Sequence, residues 1–300
     1  MQQDLNLDID EDTRNYVIMG RKTFFIVPDV SLLPESYLED YLARGYETYI
    51  ISDDRICPLT RKIDMILSVF TDSILFFYID ADIEGIEWSH YIKALHKTYG
   101  DKAMIGVLYT KRNSEKEKAN LEKYYLFDVG IQCGCIALEY QRNKNFYLID
   151  KVMYANQACG RRKTVRAFCD KSSEVVFEYK KQRIRGKLAD ISVNHFSCTF
   201  ENDPNIPVYE KINRCIFLVD GMHFESDAVV MITRDVNGQK LYIFLFTKRD
   251  GSNGLDEETL GKLAQKIYQI VTTRAKALMN SMFDKARRMV SEDCEELDFA

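Results

Sequence analysis

Apolar residues in the first half of the chain follow two alternating rhythms. Residues 23–27 (Thr-Phe-Phe-Ile-Val), 47–51, 74–79 and 103–109 are short continuous apolar runs, the pattern of strands buried on both faces of a parallel sheet. Between them the spacing of Leu38, Tyr41 and Leu42, then of Ile63, Ile66, Val69 and Phe70, then the stretch 88–99, predicts amphipathic helices. Gly45 ends the first of these and Pro58 opens the second. A charged helix over 114–124 with Ser114 as N-cap, a short strand over 127–131 and a helix over 145–158 complete the series. Five strands alternating with helices predict an open parallel α/β sheet over 21–158. Residues 1–20 are acidic and aperiodic and read as a flexible arm.

Near Gly160 the period shortens to two. Residues 165–168, 174–177, 184–188, 215–219, 229–233 and 241–246 read as short strands, separated by turn signals at 170–173, 202–205 and Asn237-Gly238. Six or seven such strands predict a small antiparallel barrel over 159–255. Leu260, Leu263, Ile267, Ile270 and Val271 place a long helix over 256–290, and the acidic residues 291–300 read as a disordered tail. The expected fold class is thus α/β plus β.

Composition narrows the function more than the fold. The net charge is −5, so no global basic field gathers long nucleic acid; no DNA partner is expected, and any anion site must be local. The first residues are acidic and polar, unlike a secretory signal, and no apolar run approaches the ~18 residues of a membrane span, so a cytoplasmic location is expected. Eight scattered cysteines read as reduced, small hydrophobes. Cys133-Gly-Cys135 has no second pair at zinc spacing, and His90 and His96 do not share a helix face at metal spacing. There is no phosphate-cradling glycine loop and no Gly-x-Ser-x-Gly elbow, and neither Asp53-Asp54 nor Asp80/Asp82 forms a hydrolytic pair. Neither an enzyme nor a metal or cofactor is expected.

The densest positive charge is residues 161–166, Arg-Arg-Lys-Thr-Val-Arg. By charge alone it reads as a solvated basic linker. Further along, after the strand at 184–188, comes Asp190-Ile-Ser192-Val-Asn-His195. Two arginines four apart, Arg162 and Arg166, followed by Asp-x-Ser at the end of a later barrel strand, resemble the signature of the PilZ family. The resemblance spans about residues 158–285. It implies a non-enzymatic bacterial effector that binds cyclic di-GMP, acts through an unidentified protein partner and serves motility, adhesion or envelope outputs. It implies ligand contacts by Arg162, Arg166, Asp190 and Ser192, with Arg161 as a neighbouring candidate.

The chemistry is coherent without the name. Cyclic di-GMP carries two phosphodiester charges and two guanines. Guanidinium forks bind phosphate and the guanine O6/N7 edge bidentately and stack on base planes. A carboxylate such as Asp190 accepts from guanine N–H groups. The sequence departs from the pattern where the family has glycine: His195 stands there, and it could stack on a guanine or block the site. Asn194, which tolerates the left-handed region, is expected to take the turn. A non-binding scaffold remains the alternative.

The first half resembles a receiver domain. Asp80 occupies the strand-3 position of a phospho-acceptor, Thr110 the strand-4 position and Asp29 the strand-1 acid. No lysine follows the expected fifth strand, which argues against phosphoryl chemistry. A pseudo-receiver that serves as a protein-binding platform is the favoured expectation.

Overall fold

The computed structural model describes residues 11–54, 57–70, 72–110, 112, 114–160, 164–236 and 238–297 of the 300-residue chain. Two compact units divide it: Met1–Lys163 with Ala275–Ala300, and Thr164–Arg274.

The first unit contains α1 (Glu11–Ile18), β1 (Lys22–Ile26), α2 (Ser36–Ala43), β2 (Glu47–Ile51), α3 (Leu59–Val69), β3 (Ser73–Tyr78), α4 (Trp88–Tyr99), β4 (Ala103–Thr110), α5 (Glu115–Lys123), β5 (Cys135–Leu138) and α6 (Arg142–Ala155). The five strands are parallel in the order β2-β1-β3-β4-β5, the flavodoxin-like doubly wound arrangement. Every residue of β1 and of β3 is buried, as continuous apolar runs require when both sheet faces are covered. Phe24 and Ile26 enter a core with Ile63, Ile66, Trp88 and Ile92. Phe25, pointing the other way, packs with Tyr41, Phe146, Ile149 and Met153. The first core also takes Ala275, Leu278, Met279 and Met282 from the C-terminal helix. No helix among the described residues is long and apolar enough to cross a membrane.

Three expectations are corrected here. Residues 127–131 do not form the fifth strand: Tyr124–Val129 is a π-helical turn closed by Gly130 at φ 84°. Its β-favouring residues mislead because only Tyr125 of that turn is buried, whereas Ile136 and Leu138 of β5 point into the protein. Residues 11–18 of the expected arm are helical, while 1–10 lie outside the described residues. The C-terminal helix α7 runs Glu257–Leu297 and so continues through most of the expected disordered tail. Ser114 stands at the N-cap of α5 as expected, without a side-chain cap hydrogen bond.

The second unit is β6 (Ala167–Phe168), β7 (Glu174–Tyr179), β8 (Gln182–Ile191), β9 (His195–Phe200), β10 (Lys211–Val219), β11 (Met222–Val236), β12 (Gln239–Thr247) and the start of α7. The strands run in the order β6-β8-β7-β10-β11-β12-β9, and the pairing of β8 with β9 closes six of them into a barrel. Closure removes the unpaired edges that an open sheet of this size would expose. The interior is largely aromatic: Phe177, Phe196, Phe200, Phe217, Phe224, Tyr242, Phe244 and Phe246 are all buried, and the rings of Phe196 and Phe244 stack at 4.7 Å. Strand β9 is absent from the sequence reading. Asn237 of the expected turn lies outside the described residues, and the neighbouring Gly238 has φ 79°.

Gly186 explains how so many rings fit. A Cβ there would sit 2.7 Å from the Phe200 ring and 3.3 Å from the Cys198 sulfur. Gly186→Ala is therefore expected to cost about 1–3 kcal/mol through overpacking. A thermal melt of the variant checks this, and an unchanged midpoint contradicts the packing account.

Candidate ligand site on the barrel

The site is set by how β6 attaches. Ala167 pairs with Ile191 and Phe168 with Asp190, antiparallel, so the chain just before β6 lies against the end of β8. Arg166, immediately before β6, is thereby brought to Asp190 although 24 residues separate them. Its Nη1 is 3.4 Å from Asp190 Oδ1, with the arginine side chain 32% and the aspartate 18% exposed. A bulge in β8 between Leu188 and Asp190 shifts the register there. Bulges re-aim the residue that follows them. Ser197 of β9, in register opposite Asp190, donates its hydroxyl to Asp190 Oδ2 at 2.9 Å.

Ser192 and His195 build the turn from β8 to β9. Ser192 is 0% exposed. Its backbone N–H donates to the His195 carbonyl at 2.8 Å, and its hydroxyl donates to the same carbonyl at 3.1 Å. The hydroxyl oxygen accepts from the N–H groups of His195 (3.1 Å) and Asn194 (3.4 Å). The serine hydroxyl is thus engaged within the turn. Neither Asn194 nor His195 has positive φ, so Asn194 does not take the left-handed turn expected of it. The glycine of the family pattern is dispensable to this backbone, because His195 already begins β9, paired with Leu245. The half-buried His195 imidazole is held below its ordinary pKa, first by burial and then by the positive charge of Arg166, with Asp190 opposing.

The structure therefore brings together Arg166, Asp190, Ser192 and His195. Arg161 and Arg162 lie outside the described residues. Ser197 was missed by the sequence reading. It could have been found from alternation, since His195, Ser197 and Thr199 alternate with Phe196, Cys198 and Phe200 and so share one strand face.

No protein-family model matches the sequence, and no curated protein matches it. The solved structures give a different outcome. The barrel is similar to PilZ domains. YcgR from Escherichia coli in complex with c-di-GMP matches over 40% of this chain and 50% of its own length, at 14% identity and a TM-score of 0.33. The isolated PilZ domain of YcgR with c-di-GMP matches over 40% of this chain and 98% of its own, at 14% identity and a TM-score of 0.32. The Bacillus subtilis inhibitor of motility, MotI, matches over 36% and 50%, at 16% identity and a TM-score of 0.30. This chain thus spans about half the length of the full-length YcgR and MotI structures.

Asp80 belongs to the other unit, that of the parallel sheet, just past β3. Arg112 grips it with both guanidinium nitrogens, Nη1 to Oδ2 at 3.0 Å and Nη2 to Oδ1 at 2.5 Å. The Thr110 N–H adds a third bond to Oδ2 at 2.7 Å, while the Thr110 and Tyr78 hydroxyls are hydrogen-bonded to each other. Arg112 is a second residue that sequence reasoning missed; it follows β4 by two positions and carries no motif. The carboxylate of a phospho-acceptor must be open to metal and phosphoryl donor, and both oxygens here are engaged. Among the described residues no cluster of His, Cys, Asp or Glu could hold a metal ion. The seven described cysteines are free thiols, five of them buried; the side chain of Cys294 lies outside the described residues.

Two outcomes follow. Acetyl phosphate with magnesium is expected to leave Asp80 unmodified by intact-mass spectrometry, and a phospho-Asp80 adduct would contradict the Arg112 clamp. In a proton NMR titration His195 should change charge below 6.5, and Arg166→Ala should move that transition upward by removing a neighbouring cation. Since the folded pKa lies below the unfolded one, this histidine costs the fold stability only as pH falls below about 6.5. A transition unmoved by Arg166→Ala would contradict the arrangement.

Proposed function

We propose that the barrel is a receptor for cyclic di-GMP, and that the chain is an effector whose occupancy is read by a protein partner. The observation that carries this reading is the Arg166–Asp190 pair, long at 3.4 Å, partly open, and placed where the arginine segment is tied to β8. The 3.4 Å contact is the only hydrogen bond of the Arg166 side chain among the described residues, so most of its five N–H donors are free for a phosphate or a guanine edge. Asp190 supplies an acceptor for guanine N–H groups, held in orientation by Ser197. A ligand that is both dianionic and rich in purine edges satisfies cation and carboxylate together, which a simple phosphate does not.

In this reading Arg162, and Arg161 beside it, close on the ligand from the connecting segment. Ser192 shapes the turn, and the neutral His195 offers an uncharged ring face for base stacking. Residues 161–163 join the two units in sequence. A ligand that contacts them gives occupancy a route to the rest of the chain, as ligand-dependent switches do in other regulators.

Isothermal titration of the full chain with cyclic di-GMP tests the proposal. Saturable binding is expected, weakened about tenfold or more by Arg166→Ala and by Asp190→Ala, since each removes a charge-assisted contact worth about 1.5–3 kcal/mol. Absence of binding at ligand concentrations far above the protein, or an affinity in both variants unchanged from that of the unaltered chain, overturns it.

A further inference from the structure

Helix α6 carries two stripes. Asn145, Phe146, Ile149 and Met153 are buried and seat the helix on the sheet. On the other side Lys144, Tyr147, Leu148, Lys151 and Tyr154 recur at helical spacing and are all exposed. Tyr147 is 57% exposed, Leu148 42% and Tyr154 78%, and Tyr140, just before the helix, is 89% exposed. Single exposed apolar residues are ordinary, but a row of large ones along one helix face marks an interaction surface. Tyrosine suits such a surface, because its ring supplies contact area and its hydroxyl is at ease in water until a partner arrives.

The outer stripe is basic, in a chain whose net charge is −5. Lys151 is exposed, and Lys144 reaches Glu139 at a long 3.4 Å. Asp150, the one carboxylate of the helix, is taken by Arg44 at 2.8 Å. The complement of this face is an acidic helix. The end of α7 has that chemistry: its last turns contain Glu292, Asp293, Glu295 and Glu296 in the sequence. The negative end of the helix dipole adds to them, which favours lysine partners.

The fold keeps that end away from α6 of the same copy. Ala275, Leu278, Met279 and Met282 of α7 enter the core on the Phe24 face of the sheet, with α3 and α4. Helix α6 lies on the Phe25 face, with α2. From Ala286, the last buried residue of α7 among the described ones, the helix runs about 16 Å further to Leu297. A continuous helix that leaves one face of a sheet does not turn round its edge to the other. We propose that the outer face of α6 receives the acidic end of α7 from a second copy of the chain, each copy giving one helix end and taking one in a two-fold dimer. Tyr147, Leu148 and Tyr154 form the apolar centre of each contact, and Lys144 and Lys151 face the carboxylates. The contact is independent of what the Asp190 site binds.

Sedimentation equilibrium of the full chain tests this. A monomer–dimer equilibrium is expected at low salt, shifting toward monomer as salt rises. Lys144→Glu/Lys151→Glu and Glu292→Lys/Glu295→Lys/Glu296→Lys should each weaken self-association at least tenfold, since like charges then meet in both contacts. Mixed in equal amounts, these two variants should pair with each other, because both contacts of the mixed dimer regain opposite charges; an effect on folding alone would not give that rescue. Tyr147→Ala/Tyr154→Ala should weaken the dimer with all charges in place, and its thermal midpoint should stay that of the unaltered chain because both rings are exposed. A chain that stays monomeric at low salt through a dilution series reaching the millimolar range overturns the proposal. So does a dimer indifferent to the α6 charge reversal, a failure of the two reversed variants to pair, or assembly beyond the dimer, which an open rather than reciprocal exchange would produce.

Discussion

Strand β8 is hydrogen-bonded to β6, β7 and β9. Its pairing with β9 closes the barrel, and its last two residues hold β6 and with it the approach of Arg166. A one-residue slip in β8 would invert its faces: Leu188 and Ile191 would leave the core, and Asp190 would enter an aromatic interior with no partner for its charge. The cost of such a slip is what fixes the Arg166–Asp190 geometry. The bulge just before Asp190 is tolerated because it lies near the strand end, where it turns the carboxylate toward Ser197 without disturbing the pairing of Gly186 with Phe200.

The interior enforces the same register. Phe196 and Phe244 stack at 4.7 Å, Phe217 and Phe224 at 4.6 Å, and Gly186 leaves the space that the Phe200 ring occupies. Each ring removes a large apolar area from water, which gives a small barrel its core. On the outside, the end of β8 carries the polar groups of the Asp190 region. The Asp190 region couples one cation to one carboxylate, suited to a ligand with both acceptor and donor edges.

Much of this was legible in the sequence. Continuous apolar runs marked β1 to β4, because strands covered on both faces cannot hide their pattern. The shift to alternation near Gly160 marked the barrel. The fifth strand was misplaced because the short exposed run at Phe127 carries strand-forming residues, and only tertiary burial separates it from β5. Strand β9 was missed because His195 was read as the end of a motif, when it is the first residue of a new strand. That Arg166 and Asp190 serve one site was implied by a family pattern; their direct pairing was not, and the reason for it, the short β6 ladder, has no sequence signal, since two residues carry no periodicity. Ser197 and Arg112 escaped because each acts by being opposite another residue in a sheet or beyond its edge, a relation that only the fold creates.

The central claim is that Arg166 and Asp190 form one site. A double-mutant cycle on cyclic di-GMP affinity, with Arg166→Ala, Asp190→Ala and the double variant, tests it most directly. The account predicts losses that are strongly non-additive, with a coupling of about 1 kcal/mol or more, as for residues in contact. Losses that add to within about 0.3 kcal/mol, or single variants that bind as tightly as the unaltered chain, would contradict it.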